Sequence, residues 1–309
     1  MKDLRGRDFV SMDDFTAEEV WAVLEFARDL KRRREQGERL QPLAGRTLAM
    51  IFEKPSLRTR VTFEVGMYQL GGMAVYLGPQ DAQLGTRETI PDAARNLERW
   101  VDAIMARTFA HATVESLAEH ARIPVINGLS DREHPCQTLA DLLTIHEHFG
   151  GFREISLAWV GDGNNVAHSL LLGAAKVGLN LRVATPPGHA PDPAIVQRAA
   201  EQARANKSTI RVTVDPAEAV ADADVVYTDV WASMGQEHEA SERRALFRPY
   251  QVNAALLARA RPTAVVMHCL PAHRGEEITD EVLDGAQAIV LDQAENRLHA
   301  QKALLAMIL

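Results

Sequence analysis

Apolar and polar positions along the chain fall into two alternating rhythms. Apolar runs of strand length stand at residues 47–52, 73–77, 103–105 and 124–126. Between them, apolar positions recur every three or four residues over 58–70, 89–100 and 113–121. A longer helical stretch, 137–149, stops at Gly150-Gly151, and a second series of strand-like runs follows at 155–160, 181–184, 210–214, 225–228 and 264–267. This alternation predicts parallel sheets with crossover helices, an α/β fold. It also places a domain boundary near 140–153. The run 288–292 reads as one more strand. The tail 294–309 reads as a helix of about four turns, with Leu298, the Lys302 stem, Leu305 and Ile308 near one stripe that must pack on something.

The length of 309 residues suggests about two domains. Lys and Arg number 34 against 42 Asp and Glu, a net charge of -8, so no partnership with nucleic acid or an anionic membrane is expected. An anionic ligand must therefore meet a local basic cluster. No apolar run approaches the ~18 residues of a membrane span, and the charged opening Met1 to Arg7 does not read as a secretory signal. Only Cys136 and Cys269 occur, which implies no disulfide framework and suits a reducing, cytoplasmic setting.

Three polar segments follow strand ends or open helices in the first half. In Phe52-Glu53-Lys54-Pro55-Ser56-Leu57-Arg58-Thr59-Arg60, free N–H groups at a helix start join the hydroxyls of Ser56 and Thr59 and the guanidinium of Arg58. Arg107 follows a second strand, and His134 and Gln137 open the long helix. Singly, each suits an exposed or capping residue. Jointly they describe an oxyanion pocket, with arginine forks suited to phosphate. In the second half, Gly161-Asp162-Gly163-Asn164-Asn165-Val166 invites a dinucleotide reading. Val166 replaces the third glycine, however, and Thr185-Pro186-Pro187 stands where a ribose-binding acid belongs. Asn164 and Asn165 suit a small polar substrate instead. Asp229 offers a carboxylate to an ammonium group, and Cys269 is either a site thiol or a small buried hydrophobe. Pro271 spoils a Cys269–His273 metal pair, and neither a metal nor another cofactor is expected.

The segments F-E-K-P-S-L-R-T-R at 52–60, M-A-R-T-F at 105–109, H-P-C-Q at 134–137, D-V-W-A-S-M-G at 229–235, H-C-L-P at 268–271 and D-Q-A-E-N-R at 292–297 resemble, in order and across nearly the whole chain, the ornithine carbamoyltransferases. The S-x-R-T-R and H-P-x-Q elements are shared with aspartate carbamoyltransferases, whereas S-M-G and H-C-L-P separate the ornithine enzymes from them. The resemblance implies two doubly wound parallel-sheet domains with a cleft between them and a C-terminal helix that packs back on the first. Residues 1–140 plus 293–309 would bind carbamoyl phosphate, and 141–292 ornithine.

By the same resemblance, Ser56, Leu57, Arg58, Thr59, Arg107, His134 and Gln137 would hold carbamoyl phosphate. Gln83 would reach the site from a neighbouring subunit of a homotrimer. Cys269, Leu270 and Arg297 would surround the reacting amine and carbamoyl group, with Arg107, His134 and Cys269 as the catalytic set. Asn165, Asp229, Ser233 and Met234 would hold ornithine. Leu57 departs from the Thr often found there, which matters little if that position offers its backbone N–H. The implied reaction is direct attack of the neutral δ-amine on carbamoyl phosphate through a tetrahedral intermediate, giving citrulline and phosphate. Carbamoyl transfer to aspartate, putrescine or an N-acylated ornithine is the near alternative. A dinucleotide-dependent dehydrogenase or a catalytically silent scaffold on the same fold are the distant ones.

Overall fold

A computed structural model describes residues 3–81, 83–232 and 240–309. The chain forms two compact units, residues 1–143 with 295–309 and residues 144–294.

The first unit opens with α1 (Ala17–Glu35), then β1 (Thr47–Phe52), α2 (Leu57–Gln69), β2 (Met73–Leu77), α3 (Ile90–Leu97), β3 (Ala103–Arg107), α4 (His111–His120), β4 (Val125–Leu129) and the start of α5 (Pro135–Phe149). Its four strands are all parallel, in the order β2-β1-β3-β4. The apolar runs form strands because both faces are covered: β1 from its second residue and all of β3 are buried. The chain's winding reverses between β1 and β3, which makes their carboxyl ends the switch point of this sheet.

The second unit contains β5 (Ser156–Val160), α6 (Asn165–Val177), β6 (Asn180–Ala184), α7 (Pro193–Ala205), β7 (Ile210–Thr213), α8 (Pro216–Val220), β8 (Val225–Thr228), α9 (Ala240–Phe247), α10 (Ala254–Leu257), β9 (Val265–His268), α11 (Asp280–Leu283) and the first turn of α12 (Val290–Ile308). Its five strands are parallel, in the order β7-β6-β5-β8-β9, so the winding reverses between β5 and β8. Trp159 and Tyr227 seal those two strands, ring against ring at 4.9 Å, and the Trp159 indole N–H donates to the Asp162 carbonyl. Gly163 lies so close to the backbone that a Cβ there would stand 2.3 Å from the Pro191 nitrogen, so glycine serves close approach here, not a dinucleotide.

Two expectations are corrected. The run 288–292 is not a strand: Ala288 makes a single bridge to Val266, and Val290 already begins α12. Four consecutive apolar residues fit either a buried strand or a helix start, and periodicity does not separate them. The tail is also apolar over more than a stripe. Ala300, Ala303, Leu304, Leu305, Met307 and Ile308 are all buried, and Leu298 and Leu305 flank Gly66 of α2, which places the C-terminal helix on the first unit.

Candidate active site

In the first unit, Ser56 caps α2, its Oγ accepting from the Thr59 N–H at 3.2 Å. The cap leaves the Arg58 and Thr59 side chains on the first turn, just past the end of β1. Arg107 is the last residue of β3, across the switch point, and is buried. His134 immediately precedes α5, and its carbonyl accepts from the Gln137 N–H at 3.0 Å. Glu133 anchors that turn by accepting from Ser11 Oγ at 2.5 Å and from the Met12 N–H at 3.0 Å.

Arg297, from α12, is almost wholly buried and unites these segments. Its guanidinium donates to Gln137 Oε1 at 2.7 Å and to Thr59 Oγ1 at 3.3 Å. Gln137 in turn donates to Asp141 at 2.8 Å. The electrostatics are one-sided. Burial pushes the His134 imidazole well below its ordinary range, and Arg297, Arg107, Lys54 and Arg58 push it further in the same direction. His134 is therefore a neutral ring among four cations.

Thr59, Arg107, His134, Gln137 and Arg297 thus come together with Ser56 and Arg58. Lys54 joins them, its ammonium also lying over the Phe109 ring at 4.9 Å; it sits inside the quoted motif, but pattern alone gave it no role. Leu57, the first residue of α2, is 75% exposed. Gln83 lines a small cavity of about 230 Å³ with Phe52, Glu53 and Phe109, the ring that lies under the Lys54 ammonium, and holds a left-handed backbone at φ 41°.

In the second unit, Asp229 follows β8 and Cys269 follows β9. Asp229 is the hub: Cys269 Sγ donates to its Oδ1 at 3.0 Å, and the Asn164 amide donates to its Oδ2 at 2.8 Å. Asn164 also caps α6, accepting from the Val166 and Ala167 N–H groups. Asn164 is thus tied to Asp229, and Asn165, buried, is the first residue of the helix. Asn164, Asp229 and Cys269 lie at strand carboxyl ends, two of them flanking the β5/β8 switch point. Ser233 and Met234 lie outside the described residues.

Pattern reading missed what holds the Cys269–Leu270 turn. The Leu270 N–H donates to His268 Nδ1 at 2.9 Å, which leaves the proton on Nε2, and Nε2 donates to the fully buried Glu277 at 3.0 Å. Glu277 also accepts from the His273 N–H at 2.6 Å, so one carboxylate fastens both ends of the 268–273 turn. A Glu nine residues past the His carries no spacing signal. Asp229, His268 and Cys269 are close enough to be weighed as metal ligands, but both His268 nitrogens are occupied. The second such group, His273, Glu276 and Glu277, has Glu276 ion-paired to Arg244 at 2.9 Å. Cys136 is a buried hydrophobe, its thiol pushed up to about 12 by burial.

Residues 7–147 match the family model for the carbamoyl-P binding domain of aspartate/ornithine carbamoyltransferase, and residues 153–308 match its Asp/Orn binding domain. The chain belongs to the aspartate/ornithine carbamoyltransferase family. Within the family it is 58% identical over 306 residues to an ornithine carbamoyltransferase of Anoxybacillus flavithermus, covering 99% of this chain and 98% of that one. It is 55% identical to an anabolic ornithine carbamoyltransferase of Pyrococcus furiosus, over 99% of this chain and 97% of that one. The solved structure of an ornithine carbamoyltransferase from Pyrococcus furiosus superposes with a TM-score of 0.98, covering 100% of this chain and 98% of that one at 55% identity. Among the described residues, no helix is long and apolar enough to cross a membrane.

Proposed function

We propose that the chain transfers the carbamoyl group of carbamoyl phosphate to the δ-amine of L-ornithine, giving L-citrulline and phosphate, in the synthetic direction that feeds arginine formation in the cytoplasm. The observation that carries this reading is family identity spanning both units, 58% over 306 residues in one ornithine carbamoyltransferase. The anion-ready cluster around His134 supports it independently.

Carbamoyl phosphate binds at the start of α2. Ser56, the Leu57 N–H, Arg58 and Thr59 cradle the phosphate with Arg107, and neutral His134 and Gln137 donate to or orient the carbamoyl group. Arg297 fixes Thr59 and Gln137 from behind. Asp229 and Asn165 orient the α-ammonium and carboxylate ends of ornithine with Ser233 and Met234. Cys269 and the Leu270 backbone hold the δ-amine, and the thiol is a holder rather than a nucleophile. The amine attacks the carbonyl carbon, the tetrahedral oxyanion forms against His134 and the arginines, and the C–O bond to phosphate breaks. The proton lost by the amine leaves with the phosphate or to solvent.

The nucleophile must be neutral. With an ordinary amine pKa near 10.4, about one part in 10³ is neutral at pH 7, equivalent to roughly 4–5 kcal/mol. The rate therefore climbs toward alkaline pH.

A homotrimer is part of the same proposal, with Gln83 delivered to a neighbour's site. One observation supports it: Leu57 and Val61 of α2 and Met73 and Val75 of the edge strand β2 expose apolar side chains.

The test is citrulline formation from carbamoyl phosphate with L-ornithine, beside aspartate, putrescine and N-acetylornithine, between about pH 6 and 9. Fast turnover with ornithine alone, rising with pH, is the expected result. Turnover with another acceptor in its place would overturn the assignment of Asp229, Ser233 and Met234. Silence with all four would return the chain to a scaffold.

A further inference from the structure

A second basic centre lies away from the His134 cluster, within the first unit. The C-terminal end of α1, the turn after it, the end of α2 and the middle of α12 line an open surface cavity of about 460 Å³. Arg33, Arg34, Arg39 and Lys302 all line it, in a chain whose net charge is -8. Arg33 is already neutralised, by Asp29 at 2.7 Å and by Glu38 at 3.4 Å. Arg34, Arg39 and Lys302 have no carboxylate partner among the described residues. Lys302 is only 4% exposed, and its ammonium donates to the neutral amide of Gln69 at 2.9 Å.

Burial, with Arg34 nearby, pushes the Lys302 ammonium down to about 8. That is the behaviour of a buried cation lacking a counter-ion. Arg34 and Arg39 are exposed at the rim and Lys302 is buried at the wall, so a ligand with more than one negative charge can meet all three. Two guanidinium forks offer paired donors to oxyanions, and the lysine offers a point charge. The cavity falls in the size range of small-molecule sites and exceeds what a single phosphate fills. Gln41 and Gln69 supply further polar atoms on its wall.

We propose that this cavity is a binding site for a small multivalent oxyanion, held by Arg34, Arg39 and Lys302. The site is separate from the carbamoyl phosphate residues, although Lys302 stands five positions after Arg297 on the same helix.

Inorganic pyrophosphate and citrate serve as probes, titrated calorimetrically into the full chain. The Arg58→Ala/Arg107→Ala variant removes the competing anion site at the start of α2. Saturable binding of either probe is expected to survive in that variant, and to weaken at least tenfold when Arg34→Ala and Arg39→Ala are added. Tighter pyrophosphate would identify a phosphoryl ligand, and tighter citrate a polycarboxylate. The Arg34→Ala/Arg39→Ala variant alone is expected to fold and to keep wild-type turnover, which shows that any lost binding is not lost structure. The proposal fails if the Arg58→Ala/Arg107→Ala variant binds neither probe, or if removing Arg34 and Arg39 leaves binding unchanged.

Discussion

Four cations surround one neutral imidazole in the first unit, and in the proposed reaction they face the charge that develops on the ligand. Arg58→Ala or Arg107→Ala should each lower turnover by ~10²–10³ while leaving the thermal midpoint nearly unchanged, since removing one preorganised donor acts mainly on the transition state. Steady-state citrulline assays beside calorimetric melting separate the two effects, and near wild-type turnover in both variants would remove them from the chemistry. His134 carries a sign that can be checked by NMR. Its folded pKa lies well below its unfolded value near 6.5, so the folded ring stays neutral while the unfolded ring takes up a proton. Its contribution to stability is thus present above about pH 6.5 and is lost as pH falls below it, and no imidazolium signal for His134 should appear near pH 6. Cys269→Ser should retain measurable turnover, because the hydroxyl still donates to Asp229. A carbamoyl adduct on Cys269 in the mass spectrum would reverse that assignment. Arg58, Arg107 and His134 could be picked out because they stand in contiguous polar motifs beside strand ends and helix starts. Lys54 and Glu277 could not, because their roles depend on which segments fold against them.

At the scale of elements, the same capping device serves two ends. Thr16 and Glu19 form a reciprocal capping box at the start of α1, and Ser56 caps α2 at the site. Thr16→Ala should cost about 1 kcal/mol in urea unfolding and leave turnover alone, whereas Ser56→Ala should cost a similar amount and also slow catalysis. Equal rates in the two variants would reduce Ser56 to a cap. Helix α1 shows what the pattern reading passed over. Thr16-x-x-Glu19 followed by Val20, Val23, Leu24, Ala27 and Leu30, all buried, is a complete helix signal, diluted by ten charged residues among its nineteen. The central parallel strands β1, β3, β5, β8 and β9 were legible because burial on both faces makes them continuous apolar runs. That rule misled at 288–292, where an apolar run of the same kind feeds a helix instead. Ile289 still spends its N–H on Val266, and by Gln293 the helical bonds have taken over, so a strand-like bridge and a helix share the run.

For the whole molecule, the two units repeat one solution: a parallel sheet whose winding reverses once, with polar side chains at the carboxyl ends beside the reversal. Ser56 to Thr59 and Arg107 flank it in one sheet, Asn164 and Asp229 in the other. Gln83 lies between β2 and α3, and the proposed homotrimer gives it to a neighbour's site. A Gln83→Ala chain keeps Arg58, and an Arg58→Ala chain keeps Gln83, so each variant alone is impaired at every site. When the two are dissociated, mixed and reassembled, a Gln83→Ala chain that receives the loop of an Arg58→Ala neighbour regains a complete site. Random head-to-tail assembly in a closed ring restores about a quarter of the sites. Citrulline formation should therefore rise well above the sum of the separate variants, and sedimentation should show the trimer in every sample. If Gln83 served its own chain, mixing would restore nothing, whatever the assembly.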